Sequence, residues 1–522
     1  MSTISTKSRS KRQTTGPPKE RGGRTPVEVQ SSAPGSDLSA RAWQLSSLAI
    51  LFVGAFLRLF KLPLVPLHHD EGVNGNFLVT LVREGKYFYD PQNYHGPTLY
   101  YFSAIIPWIV RFFGGKSAGD AYGLTTFNIR LVTVIFGVAT IWLALTLRQR
   151  IGTIGALCAA GLIAISPGAV YLSRYFIHES LYVFFTLAIV VAALKYYETG
   201  RSLYFILASI SAALMVATKE TWIMNGPVLV IAWISTAGYF RLREQFNRGS
   251  ADQASVADRW RETIDRLGGG IPVLTVALTA FAVFIVVAVL FYSSFFTNYP
   301  KGVSDAFKTL NLWRQRTHEH EHPWYEYIYW LLWEEGALLI LAGFGALIAL
   351  WRANNRMALF LALWSFGLLA AYSLVGYKTP WISLNFIVPL ALTSGYTLEV
   401  VYQKLREFQQ PLFFFLIPAL IVGLCGYQLY QLNFVHYDDD QLPYVYAHTK
   451  RQMLTMLDQI ERVAQKNGTG TETGIAIVSP DYWPLPWYFR NYKKVGYYSQ
   501  IVPTNEPIII GSEAQEEQLK AT

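Results

Sequence analysis

Charge is scarce in this 522-residue chain. Lys, Arg, Asp and Glu together make up 15% of it, against about a quarter in soluble domains. Cysteine is nearly absent. Cys158 and Cys425 are the only two, and both lie in apolar runs, where they read as small core side chains. A disulfide-built secreted domain is therefore excluded. No fixed-period repeat is visible either, so the paired halves common in transporters are not in view. What is abundant is apolar surface: 52% hydrophobic and 15% aromatic, with 15 Trp, 32 Tyr and 32 Phe, and a mean hydropathy of +0.25. That balance excludes a cytosolic enzyme and a disordered scaffold, and it points to an all-α polytopic membrane protein. The net charge of +9 does not imply a nucleic-acid partner. The basic residues sit in short clusters between apolar runs, as they do where they set membrane orientation.

Residues 1–42 carry eight Lys/Arg against three Asp/Glu, without periodicity. They read as a disordered basic cytoplasmic tail. Apolar runs long enough to span fall near 43–62, 127–147, 153–171, 180–198, 203–218, 221–240, 271–292, 334–351, 357–376, 381–400 and 411–430. That makes eleven, with the termini on opposite sides. The run 97–113 is apolar but carries Pro107, Arg111 and several tyrosines. If it does not cross, the basic loops at Arg148/Arg150, Lys195/Arg201, 241–266, Arg352/Arg356 and Lys404/Arg406 fall on the tail's side. It is therefore expected as an amphipathic helix on the outer face. The transmembrane domain is then 43–430, with outer loops 63–126, 171–179 and 293–333. Segment 431–522 is expected as a small α/β extracytoplasmic domain, with a helix over 444–466, strands at Gly474–Val478 and Pro507–Ile510, and a short helix over Trp483–Arg490.

Under this topology all nine histidines are outside: His68, His69, His95, His178, His318, His320, His322, His436 and His448. In His68-His69-Asp70-Glu71-Gly72, directly after the first span, two adjacent acids point in different directions. One can act as general base or metal ligand while the other orients a partner. The same acids also suit a helix N-terminus. In Arg174-Tyr175-Phe176-Ile177-His178-Glu179, Arg174 is suited to gripping phosphate oxygens, or equally to tying two helix ends through Glu179. Lys219-Glu220 interrupts two apolar runs, and charge at such depth usually lines a cavity. Lys378 ends another span and either faces a ligand or snorkels. His318, His320 and His322, with the carboxylates between them, suit Mn, Mg or Zn, or else form a solvated loop. His69 and Asp70 are further candidates for such a divalent cation. No other cofactor is indicated.

The order of these segments resembles a known family. An Asp-Glu pair follows span one. Then come Tyr94-His95-Gly96-Pro97-Thr98-Leu99-Tyr100-Tyr101, the Ser173-Arg174-Tyr175-Phe176…Glu179 turn, the Thr218-Lys219-Glu220-Thr221 break and Pro323-Trp324-Tyr325. Tyr377-Lys378-Thr379-Pro380-Trp381 and Ser479-Pro480-Asp481-Tyr482-Trp483-Pro484-Leu485-Pro486-Trp487-Tyr488 belong to the same likeness. Over residues 43–510 the chain resembles the GT-C superfamily of integral-membrane glycosyltransferases. These include protein O-mannosyltransferases, the lipid A aminoarabinose transferase and the catalytic subunit of oligosaccharyltransferase. It looks most like the archaeal and bacterial "flippase activity-associated" membrane proteins.

The resemblance implies transfer of a sugar from a polyprenyl-phosphate donor to a protein, lipid or glycan acceptor at the outer membrane face. Asp70 and Glu71 match the first-loop acids. Glu179 matches a second-loop acid where relatives more often have Asp. Arg174, Lys219 and Lys378 are candidates for the lipid phosphate, with His95, His178 and Glu220 beside them. Two departures stand out. Gly96 replaces a lysine of the aminoarabinose transferase, and the Trp-Trp-Asp signature of oligosaccharyltransferase is missing, Trp333-Glu334-Glu335-Gly336 being a distant echo. A lipid-linked glycan flippase and a non-catalytic assembly factor are the competing readings.

Overall fold

The computed structural model describes residues 38–93, 95–114, 120–248, 256–315 and 321–521. The expected tail lies largely outside the described residues, as do His318 and His320. Among the described residues nine helices are long and apolar enough to cross a bilayer, and a bent pair makes a tenth. The helix Gly270–Tyr292 exposes Ile271, Leu278 and Phe281, side chains that need lipid rather than water around them. The chain is an integral membrane protein.

Every expected span meets a helix, with two qualifications. The run 153–171 is broken into Thr153–Ile165 and Pro167–Ser173, bent by 58°, and 203–218 is the 15-residue helix Ser202–Val216. Proline at the first position of the second piece removes a donor and starts a new axis. Several of the freed backbone groups find partners across the bundle. Arg58 donates to the Ile163 and Ala164 carbonyls at 3.0 and 3.2 Å, while Ser166 Oγ and the Gly168 N–H donate to the Glu335 carboxylate. A break inside a bilayer requires this kind of satisfaction. Glu335 itself sits at a kink, φ −133° and ψ 29°, in Glu326–Arg352. That helix starts well before 334 because Tyr327, Trp330 and Leu331 are buried against the bundle.

At one end of the bundle the connecting segments fold together. The first span is α1 (Ala40–Leu59), followed by α2 (His69–Glu84) and α3 (Thr98–Gly114). Helix α3 covers the expected 97–113 run. It buries Leu99, Tyr100 and Ala104 and exposes Ile105, Trp108, Ile109, Phe112 and Phe113, an amphipathic division suited to an interface. The next span is α4 (Thr126–Thr146).

The C-terminal segment adds a sheet of β1 (Gly474–Ile477), β2 (Lys494–Tyr497) and β3 (Ile508–Ile510), all parallel, in the order β2–β1–β3. Ile475 and Ile477 of the central strand pack with Ile460 of the helix Gln452–Lys466. The expected helix over 444–466 begins only at Gln452. Tyr437, Tyr444 and Val445 instead join the core of the bundle, so this stretch follows the membrane domain's surface rather than a helical period. The boundary expected at 431 falls at the start of a π-helical turn, Gln431–Val435, that continues the last span.

Candidate functional site

Helix α2 begins with a capping box in which the His68 side chain accepts from backbone and the Glu71 side chain accepts from the His68 N–H. His68 Nδ1 accepts from the Asp70 N–H at 3.0 Å, and Nε2 lies 3.0 Å from the Tyr446 carbonyl. An acceptor at one nitrogen and a donor at the other fix the neutral Nε2–H tautomer. His68 is thus spent on holding the turn.

Glu71, expected among the catalytic acids, is held in an ion pair. Its side chain and that of Arg130 on α4 are both fully buried, with Nε–Oε1 at 2.7 Å and Nη2–Oε2 at 2.6 Å. Glu71 also accepts from the Phe176 N–H at 2.7 Å, and Arg130 also donates to the carbonyls of Leu62, Val65 and Pro66. One bidentate pair therefore ties α4, the α1–α2 link, the start of α2 and the 174–178 turn together. Of the two adjacent acids, only Asp70 faces open space.

That space is a cavity of about 680 Å³. Its wall includes His69 and Asp70, then His95, Lys219 and Glu220, and on a third side Trp381, Tyr446, His448, Asp481 and Trp483. The 219–220 break is shaped by the first loop. Gly96 N–H donates to the Thr218 carbonyl at 3.0 Å, and Thr98 N–H to that of Ala217 at 3.3 Å. His95 Nδ1 pairs with Glu220 Oε2 at 3.0 Å, and Lys219 Nζ pairs with Glu179. Lys219 is the one Lys or Arg among the described lining residues, and Asp70, Glu220 and Asp481 are its carboxylates. Glu179 stands behind Lys219 rather than on the wall.

Other expected ligands are committed elsewhere. Arg174 donates to the carbonyls of Leu57, Arg58, Phe60 and Lys61, closing the C-terminal end of α1, where a cation also meets the negative end of the helix dipole. Lys378 donates to the Ser373 and Val375 carbonyls and caps the helix Arg356–Ser373 in the same way. His178 Nε2 lies 3.0 Å from the Gly96 carbonyl and its ring is 4.8 Å from that of His95, so it supports the wall from behind. His322 packs on Trp330 and is not among the residues that line the cavity. Among the described residues no three His, Cys, Asp or Glu side chains come close enough to hold a metal ion. Among the described residues, then, no third such side chain joins His69 and Asp70, while His318 and His320 lie outside the described residues.

Gly96 explains a departure from the resemblance. A Cβ there would stand 2.1 Å from the Ala217 carbonyl oxygen, so a lysine has no room. Gly96→Ala should cost about 1–3 kcal/mol through forced backbone movement, read as a fall in the thermal midpoint of the detergent-purified protein.

Sequence reasoning passed over the C-terminal side of the wall. His448 is buried, and its ring nitrogens lie against the Tyr175 hydroxyl, which donates to Tyr171 at 2.9 Å. Burial first, then His68, Arg130 and Lys450, hold the His448 imidazole well below its usual pKa. The unfolded chain therefore binds a proton that the fold refuses. Stability is intact above about pH 6.5 and should fall as pH drops below it. Melting curves across pH 5–8 check this, and His448→Gln should flatten the slope.

Residues 105–247 match the family model described as dolichyl-phosphate-mannose-protein mannosyltransferase. No curated protein sequence matches the chain. Among solved structures, ArnT from Cupriavidus metallidurans bound to undecaprenyl phosphate aligns with a TM-score of 0.59 at 15% identity, covering 93% of this chain and 95% of that one. The oligosaccharyltransferase of Archaeoglobus fulgidus, in complex with Zn and sulfate, aligns with a TM-score of 0.51 at 16% identity, covering 86% of this chain and 62% of that one. The same enzyme tethered to an acceptor peptide aligns at 0.53. Over most of its length the chain therefore shares the fold of these two integral-membrane transferase structures, and its residues 105–247 are similar to the mannosyltransferase family model.

Proposed function

We propose that this protein transfers a sugar from a polyprenyl-phosphate donor to an acceptor hydroxyl at the extracytoplasmic membrane face, with inversion. The observation that carries the reading is the cavity itself. It brings Asp70 from the start of α2 together with Lys219 and Glu220 from the break at 219–220 and His95 from the first loop.

The donor's phosphate would lie at the Lys219 side, with the lipid tail leaving between spans. The acceptor oxygen attacks the anomeric carbon as the bond from that carbon to the phosphate oxygen breaks. Asp70 takes the acceptor proton, and the electron pair departs on the phosphate of the lipid. Lys219, held by Glu179, meets the charge developing there. Glu220 and His95 orient this wall. A base opposite the leaving group requires a single displacement, hence inversion. The lipid-phosphate part of the donor is supported by the likeness to the ArnT structure bound to undecaprenyl phosphate.

The test uses the full chain in nanodiscs with a radiolabelled polyprenyl-phosphate hexose and membrane extract. Label should leave the lipid only when protein is present, and Lys219→Ala should slow this by about 10²-fold or more, as loss of one charge-stabilising donor does. Lipid translocation without any cleavage of the donor would favour the transport reading instead.

A further inference from the structure

The cavity has a wall that the reaction above does not use. Trp483 and Asp481 reach it from the loop between β1 and the short helix Leu485–Tyr488, Tyr446 from the stretch after the last span, and Trp381 from a membrane helix end. Trp381 and Tyr446 meet edge to face at 6.0 Å, and Trp483 lies 6.2 Å from the His69 ring. None of the four is fully buried, so each presents surface to the cavity.

This wall is fastened to the base. Pro484 packs on Gly72, where a Cβ would stand 2.5 Å away, and Trp487 packs on Gly75 at 2.8 Å. The Tyr488 hydroxyl accepts from the Leu67 N–H at 2.9 Å. Asp70 and Asp481 both act on the His69 imidazole, opposing the downward pull of burial on its pKa. Asp70, His69, Asp481 and Trp483 are thus one neighbourhood, held at fixed spacing by close helix–loop packing.

We propose that this wall is the acceptor subsite and that the acceptor is a carbohydrate. The inference rests on the transferase reading and narrows it. A general base touches the acceptor hydroxyl, so the groups flanking Asp70 are the acceptor's neighbours. A pyranose has C–H faces that pack on aromatic rings and a rim of hydroxyls that donate to carboxylates. Two tryptophans and a tyrosine supply the first kind of surface, and Asp481 supplies a charged acceptor for the second. A peptide would call for backbone partners along an extended groove. Here the wall offers ring faces and a carboxylate.

Two measurements on the full chain test this. Intrinsic fluorescence is titrated with mannobiose, cellotriose and chitotriose. At least one should give saturable quenching, which Trp483→Ala abolishes and Trp483→Phe retains. In the transfer assay with that saccharide, Asp481→Asn and Trp483→Ala should raise the acceptor KM ten-fold or more relative to the donor KM. The proposal is overturned if none of the three binds while a Ser/Thr-rich peptide is glycosylated, or if the variants raise the donor KM as much as the acceptor KM. If the donor is never cleaved, the transferase reading fails, and the fluorescence titration still decides whether the wall holds carbohydrate.

Discussion

Asp70→Asn should lower sugar transfer by about 10²–10⁴-fold, the range for loss of a positioned general base. The amide keeps the size and the backbone geometry, and the cap at the start of α2 uses the side chains of His68 and Glu71 rather than Asp70. The thermal midpoint should therefore stay within the small scatter of surface substitutions. Folding and donor binding, measured alongside transfer, separate the two effects. Near-normal transfer in a well-folded variant would remove Asp70 from the role of base.

A second large effect is expected one residue along, with the opposite signature. Glu71→Ala leaves the Arg130 guanidinium buried without its carboxylate, and takes a hydrogen-bond acceptor from the N–H groups of His68 and Phe176. Breaking such a pair costs about 3–5 kcal/mol, a large part of the stability of any domain. The protein should lose its sharp melting transition, and activity should fall with it. Replacing both partners together, Glu71→Met with Arg130→Met, should recover part of the loss, because no charge is then stranded. A double variant no more stable than the single one would argue against the clasp. The adjacent acids thus give one variant that folds without working and one that works only as far as it folds.

The membrane architecture was legible because burial in lipid writes itself into runs of apolar residues. Ten of the eleven expected spans, counting the bent pair as one, meet helices of spanning length and apolarity. The eleventh, Ser202–Val216, is short because it stops at the Lys219-Glu220 break that the sequence also displayed. The loop His68-His69-Asp70-Glu71 was legible as a site because charge beside a span is unusual. The division of labour inside it was not. Glu71 finds Arg130 far along the chain, within what reads as an uninterrupted apolar run. Arg174 and Lys378 look like phosphate ligands by residue type, but the carbonyls they cap belong to helix ends that no local pattern reveals. The C-terminal contribution was hidden for a related reason. Tyr446 and His448 reach the cavity through irregular chain, where neither the helical nor the strand period applies, and Trp483 gets there through packing of Pro484 on a bare glycine face.

That last contact bears on how the molecule comes into being. The helix bearing Asp70 is made well before the residues that seat on Gly72 and Gly75, Pro484 and Trp487. During synthesis the bundle can insert while its reaction chamber still lacks a side. The nascent chain should thus stay inert toward lipid-linked sugars until the 483–487 stretch emerges and closes over the first loop. A protein cut short after the last span would be a membrane-embedded bundle with an unfinished room.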